Sequence, residues 1–119
     1  MNFLFEKLLA WQKTRLVIKR IYIAVKIFPD YEKHGLASQM RRSSISIASN
    51  LAEGSGRSSQ KDQAHFYTIA YSSLLELVNQ LILSHDMGYI NDVELDQFRK
   101  ELHEVARMIS GLRKGCIKS

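Results

Sequence analysis

Apolar residues recur at helical spacings in four segments of the chain. In the last segment the spacing alternates between three and four residues, through Leu95, Phe98, Leu102, Val105, Ile109, Leu112 and Cys116. Such a heptad pattern is typical of a helix that packs lengthwise in a bundle. Asn91 and Glu94 have the spacing of a capping box at its start, and Gly88 suits the end of the preceding helix.

The first helix is predicted from Phe3 to Phe28, where Pro29 ends it. At about 100° per residue, its apolar side chains fall on two separate arcs. One arc holds Leu4, Leu8, Trp11, Ile18, Ile21, Val25 and Phe28, and the other holds Phe5, Leu9, Leu16, Ile23 and Ile27. A helix in a monomeric bundle needs one apolar face. The second arc therefore predicts an interface with another subunit.

The two middle helices complete an all-α chain. The second helix is predicted to begin between Tyr31 and Ala37 and to end at Glu53, and its middle is rich in serine and alanine. In the third helix Glu76 is the only Asp, Glu, Lys or Arg between Gln63 and His85, so its apolar band is too broad for one neighbour to cover. We expect a single domain, residues 1–119, that forms an oligomer.

The stretch "EGSGRSS" (Glu53–Ser59) joins the second and third helices. A phosphate-binding P-loop would need a preceding strand, a different glycine spacing and a lysine, all of which are missing. We therefore interpret it as a corner: Gly54 takes the left-handed conformation that ends a helix, Gly56 lets the chain turn, and Ser59 caps the next helix with Asp62 three residues later. Arg57 remains a candidate phosphate contact beside free helix-start amides.

Folding the chain back at this corner brings distant charges together. A reflection about residue 57 places Glu76 near Arg41 and Arg42. A lone carboxylate in an apolar helix needs a partner. The sequence thus predicts a structural ion pair of Glu76 with one of these arginines.

The positive charge of the chain is concentrated at its beginning. Residues 1–28 hold six Lys/Arg against Glu6 alone, a net charge of +5, which equals that of the whole chain. Five of these cations form two strips, Lys13/Arg20 and Arg15/Lys19/Lys26, with no aromatic residue in either. A basic surface suggests nucleic acid, contacted mainly at its phosphates, whereas a merely solvated helix is the alternative.

The sequence offers little support for other chemistry. It holds no Glu-x-x-His or His-x-x-x-His pair, no strained nucleophile turn and a single cysteine, Cys116. We expect no enzymatic activity, no metal and no cofactor. No apolar run is long enough to span a membrane, and a reducing cytoplasm fits the cysteine count. The two arcs of the first helix also argue against a role as an interfacial membrane helix.

Several motifs resemble one protein family. They are "WQK" at Trp11–Lys13, "GLASQMRRSSISIASNLAEGSGR" at Gly35–Arg57, "SLLEL" at Ser73–Leu77 and "GYI" at Gly88–Ile90. Together they resemble the four-helix-bundle family named after open reading frames in intervening sequences of bacterial 23S ribosomal RNA genes. The resemblance implies an antiparallel up-down-up-down four-helix bundle that assembles into a homopentameric ring. Related proteins are accessory proteins of diversity-generating retroelements, which bind nucleic acid and a reverse transcriptase through a basic surface.

Two hypotheses about function follow. The first is a non-enzymatic, oligomeric nucleic-acid-binding protein for structured RNA or RNA/DNA, using Lys13, Arg15, Lys19, Arg20, Lys26 and Arg57. The alternative is an oligomeric scaffold or adaptor that holds a protein partner such as a reverse transcriptase. Both accept the second arc of the first helix as a subunit interface, and they differ in what the basic residues do.

Overall fold

Four α-helices account for most of residues 1–117, the part of the chain that the computed structural model describes. They are α1 (Leu9–Val25), α2 (Leu36–Ser55), α3 (Gln60–Asp86) and α4 (Asp92–Ile117). Short 3₁₀ turns precede α1 and α2, at Leu4–Lys7 and Asp30–Glu32, and no strand occurs in this range. The all-α prediction is confirmed, while residues 118 and 119 of the predicted domain lie outside the described part.

The four helices close into one bundle. Each packs against its neighbour in the chain, and α4 also packs against α1. Lys13 pairs with Glu104 and Arg20 with Glu101, so α1 and α4 run in opposite directions. The 27-residue α3 is about 40 Å long at about 1.5 Å per residue, in keeping with a long axis of 46 Å. A ring of such bundles remains a prediction.

The predicted helix ends on both sides of α3 are confirmed. Ser59 caps α3, its hydroxyl accepting from the Asp62 amide at 3.1 Å. Gly88 follows α3 with φ of 81°, the left-handed conformation that favours glycine. Asn91 and Glu94 form the capping box of α4, each side chain accepting from the other's backbone amide at 2.8 and 3.0 Å.

The core lies along the bundle axis and is built from all four helices. The heptad positions of α4 from Leu95 to Ile109 are buried, as predicted. They pack with fully buried side chains of the other helices: Val17, Ile21, Met40, Ile47, Leu51, Leu77 and Leu81.

The first helix differs from its prediction in where it begins and in which of its residues face the core. The chain leaves the 3₁₀ turn through extended Leu8 (φ −72°, ψ 122°) and starts α1 only at Leu9. The core-facing positions include small residues that the predicted arcs left out, namely Ala10, Thr14, Val17 and Ala24. Thr14 can be buried because its hydroxyl donates to the Ala10 carbonyl at 2.7 Å. Leu4, by contrast, is exposed.

The interpretation of Gly54 as a helix end is wrong. Gly54 is buried inside α2, which continues to Ser55, and Gly88 is the one residue with positive φ in the described range. A Cβ atom on Gly54 would lie 2.7 Å from Cε1 of Tyr67. Glycine is therefore required there because α3 approaches α2 closely. The "EGSGR" corner keeps its predicted role as a turn, and Gly56 is the C-cap residue of α2.

The predicted ion pair of Glu76 with Arg41 or Arg42 is also wrong. Among residues 1–117 Glu76 forms no ion pair within 4.0 Å, and its side chain is exposed. Arg41 instead donates to the Lys33 carbonyl at 3.2 Å. Arg42 and Glu76 line the same open groove between α2 and α3, so the fold-back does bring them to one surface. Both residues are exposed, and a solvated carboxylate needs no ion-pair partner.

Candidate nucleic-acid interface

The basic residues of α1 fall into two groups with different surroundings. Lys13 and Arg20 lie on the side that faces α4. The Lys13 ammonium is 2.7 Å from a Glu104 oxygen, and the Arg20 guanidinium pairs with Glu101. These two predicted nucleic-acid contacts are thus engaged within the bundle.

Arg20 in particular is a structural residue. Its guanidinium carbon lies 4.4 Å from the centroid of the buried Phe98 ring. Burial lowers the pKa of Arg20 below its usual value, and the nearby Glu94 carboxylate offsets only part of this effect. The side chain therefore fixes α1 on α4 through a cation–π contact and an ion pair.

Arg15, Lys19 and Lys26 form the second group, which we call the basic strip. All three are exposed, and none forms an ion pair with another side chain in the described range. They span about 16 Å along α1 and its C-cap residue, Lys26, at about 1.5 Å per residue. Unlike Lys13 and Arg20, these cations are available to an anionic partner.

An apolar stripe separates the basic strip from the ion-paired side of α1. Leu9, Leu16, Ile23 and Ile27 are exposed to 55, 59, 64 and 76 %. Phe5, the fifth residue predicted for the subunit interface, is half-buried, and its ring packs edge-on against Trp11 with centroids 5.0 Å apart. The stripe lies away from the core of its own bundle, so its role as an interface stays a prediction.

Arg57, the remaining predicted contact, lies at the "EGSGR" corner. Its guanidinium is 3.1 Å from a Glu53 oxygen and 4.4 Å from the centroid of the Phe66 ring. Both charged side chains are substantially exposed, so solvent screens this pair. Arg57 is thus ion-paired, as Lys13 is, but both members of its pair are more exposed than Lys13 and Glu104.

Sequence reasoning missed an aromatic cluster beside the basic strip. Phe3 stacks on Phe5 with centroids 6.2 Å apart, Phe5 packs on Trp11, and the Arg15 guanidinium lies 5.5 Å from the Trp11 ring centroid. A continuous helix from Phe3 would spread these rings over different faces, whereas the break at Leu8 gathers them. Glu6, three residues after Phe3, was the local signal for a separate first turn.

A second surface lies between α3 and α4. Tyr71, Leu75 and Val78 line one side of a groove of about 310 Å³, and Arg99 and Arg107 of α4 line the other. Apart from these cations the lining is mainly apolar. This α3–α4 groove has the character of a protein-docking surface rather than of a phosphate track.

The described residues hold no group of three or more His, Cys, Asp or Glu side chains that could bind a metal ion. None of the helices in this part of the chain has the length and hydropathy needed to cross a membrane.

Comparison with known proteins decides the family. The family model described as 23S rRNA-intervening sequence protein matches residues 6–111. The chain belongs to this family. A search of curated proteins gives no match.

A solved structure supports the fold of this family member. It is the 1.70 Å crystal structure of a protein of unknown function from the S23 ribosomal protein family of Bacteroides thetaiotaomicron VPI-5482. The two align with a TM-score of 0.80 at 20 % identity, over 88 % of this chain and 95 % of the other. At this identity the likeness establishes a shared fold.

Proposed function

We propose that this member of the 23S rRNA-intervening sequence protein family is a non-enzymatic, homo-oligomeric, cytoplasmic protein that binds RNA through the basic strip. The observation that carries the proposal is the contrast between the two groups of α1 cations. Lys13 and Arg20 are neutralised by Glu104 and Glu101, whereas Arg15, Lys19 and Lys26 have no acidic partner in the described range. The description of the family, with its reference to 23S rRNA, favours RNA as the anion.

Oligomerisation would raise the affinity for RNA, because one basic strip offers only three cations and an oligomer offers several strips. A second copy of the chain covering the apolar stripe of Leu9, Leu16, Ile23 and Ile27 leaves the neighbouring basic strip at the rim of the interface. In a closed ring, five-membered as the resemblance implies, the strip is then repeated around the circumference. Repeated contacts raise the overall affinity for a long polyanion without any new contact within one subunit.

The first prediction concerns the basic strip. Changing Arg15, Lys19 and Lys26 together to Gln removes three phosphate contacts per subunit. Binding of structured RNA should weaken to a similar extent whatever the RNA sequence. The slope of log affinity against log salt concentration should fall in magnitude by about 0.7–0.9 for each lost contact. Filter binding at several salt concentrations measures both quantities.

The matched control is Lys33, Lys61 and Lys100 changed to Gln, which removes the same charge from other exposed positions. This variant should bind nearly as the parent does. Equal weakening by both variants would mean that net charge alone drives binding. A parent protein that binds neither structured RNA nor duplex DNA at low salt would refute the proposal.

The alternative function, an adaptor that holds a protein partner, rests on the α3–α4 groove. Its apolar floor and its arginines suit an amphipathic helix with acidic flanks, such as a segment of a reverse transcriptase or another enzyme. Absence of nucleic-acid binding, together with loss of partner capture in a Leu75→Glu variant, would favour this function.

A further inference from the structure

We infer that the groove beside the aromatic cluster takes an unpaired nucleotide, so that the protein prefers single-stranded nucleic acid to duplex. This inference rests on the proposed function and names the class of nucleic acid that the site selects. The groove, of about 930 Å³, lies between the N-terminal segment and the end of α2. Phe3 and Phe5 form one wall, and Ser49, Glu53 and Arg57 line the other. Its volume lies within the range of small-ligand sites, about 300–1,000 Å³.

Phe3 provides the stacking surface. Its ring is nearly parallel to that of Phe5, with planes 12° apart, and the residue is nevertheless 73 % exposed. Phe5 therefore lies parallel to Phe3 and offset from it, and most of the Phe3 ring is open to solvent. A base can stack on this open ring, beside the parallel ring of Phe5. Proteins bind unpaired bases in this way with little dependence on base identity, since every base has a π-face.

The stacking surface is held in place by hydrogen bonds of the first turn. The Phe3 amide donates to Glu6 Oε2 at 2.7 Å, and Gln12 Nε2 donates to the Glu6 carbonyl at 2.8 Å. These contacts tie the N-terminal segment to α1 before any ligand binds. A preformed surface lowers the ordering cost of binding.

Cations lie on both sides of the stacking surface. On one side Arg15 packs over Trp11, the neighbour of Phe5, and continues into the basic strip. On the other side Arg57 lines the groove itself, in an exposed, solvent-screened ion pair with Glu53 that a phosphate would displace. A single strand can thus place phosphates on the strip and at Arg57 with a base on Phe3 between them. A duplex can use the strip, but its bases are stacked on one another and cannot reach Phe3.

The test uses Trp11, the one tryptophan of the chain, as a built-in reporter. Its fluorescence is followed during titration with an oligouridylate of about twelve nucleotides, a length within the usual site size for single strands. An RNA duplex of the same length is titrated in parallel, and filter binding gives both affinities. We expect the single strand to quench Trp11 and to bind more tightly than the duplex.

The decisive variant is Phe3→Leu, which keeps an apolar side chain but removes the ring. It should weaken oligouridylate binding about tenfold and leave duplex binding unchanged. Tyr31→Leu, a change of another exposed aromatic residue, is the control and should alter neither affinity. The triple Gln variant of the basic strip should weaken the binding of both oligouridylate and duplex.

The outcomes separate the two proposals. If the parent binds duplex as tightly as single strand and Phe3→Leu changes neither, the inference is overturned while the proposed function stands. If the parent binds neither ligand at low salt, both fail. If Phe3→Leu changes the sedimentation of the protein but not its affinities, the groove is an interface between copies of the chain, and the inference is overturned.

Discussion

At the scale of single residues, the distance between α2 and α3 depends on Gly54. The position is buried and helical, and the Tyr67 ring fills the space that a side chain would need. Tyr67 is itself buried, so its ring has little room to withdraw. The contact explains a glycine in the middle of the last turns of a helix, where its conformational freedom would otherwise be a disadvantage.

A Gly54→Ala variant should therefore be less stable than the parent. The new methyl group overpacks the contact with Tyr67, which typically costs about 1–3 kcal/mol in the free energy of unfolding. Gly111→Ala is the matched control, because Gly111 is also helical and a Cβ there meets nothing within 4 Å. It should be neutral or stabilising by up to about 1 kcal/mol. Urea unfolding measures both, and a Gly54→Ala variant as stable as Gly111→Ala would contradict the close approach.

At the scale of helices, buried polar pairs set the register of α2 against α3. Ser43 donates to Gln80 Oε1 at 2.7 Å, and the hydroxyls of Ser46 and Ser73 are 2.7 Å apart. Ser43, Ser73 and Gln80 are all buried. A slip of either helix along the other would break both interhelical hydrogen bonds and leave the buried Gln80 oxygen without its donor, which costs more than the hydrogen bond itself contributes. The serine-rich middle of α2 thus specifies alignment as well as close packing.

This register predicts a contrast between two neighbouring positions of α3. Gln80→Ala removes the interhelical acceptor of buried Ser43 and should cost about 0.5–1.5 kcal/mol, because the Ser43 hydroxyl can still donate to the Met40 carbonyl 3.3 Å away. Glu76→Ala, at an exposed position, should change the stability by no more than about 0.5 kcal/mol. Thermal unfolding of the two variants beside the parent makes the comparison. The opposite order of stabilities would restore the ion pair that the sequence suggested for Glu76.

At the scale of the whole molecule, the outward face of α1 is the unusual surface. An apolar stripe runs along it, with the basic strip on one side and the two ion pairs to α4 on the other. Exposed apolar residues that line up along a helix mark an interaction surface. A second copy of the chain is the occupant that we propose, since it also repeats the basic strip.

The double variant Leu16→Glu plus Ile23→Glu should dissociate the oligomer into folded monomers. Each carboxylate would lose its hydration at the interface, whereas in the monomer it faces water. Sedimentation velocity measures the mass, and circular dichroism checks that the helices remain. Met87→Glu plus Val93→Glu places the same charges on exposed apolar residues elsewhere and should leave the oligomer intact. A parent protein that sediments as a monomer would remove the basis for the interface.

The sequence by itself determined the four helices and several of their ends, because these depend on local rules. Heptad spacing fixed the buried face of α4, and the caps at Ser59 and Asn91 and the left-handed Gly88 were readable within a few residues. It also located the positive charge on the first helix. Periodicity and capping act over one or two turns, so no distant contact has to be known.

Only the tertiary structure decided which residues meet across helices. Glu76 lies on the same groove as Arg42 but is solvated and unpaired in the described range. Glu101 and Glu104 neutralise two of the predicted contacts, and the packing of Tyr67 requires a glycine at position 54. The aromatic cluster likewise depends on a chain break at Leu8 that brings Phe3 onto Phe5 and Phe5 onto Trp11. Each of these contacts depends on the relative positions of two segments rather than on local spacing. An error of one helical turn in the predicted alignment of two helices changes every residue pair between them. The candidate site is therefore smaller on α1 than its charge suggested, and it gains an aromatic surface at the N-terminal end because the chain folds back there.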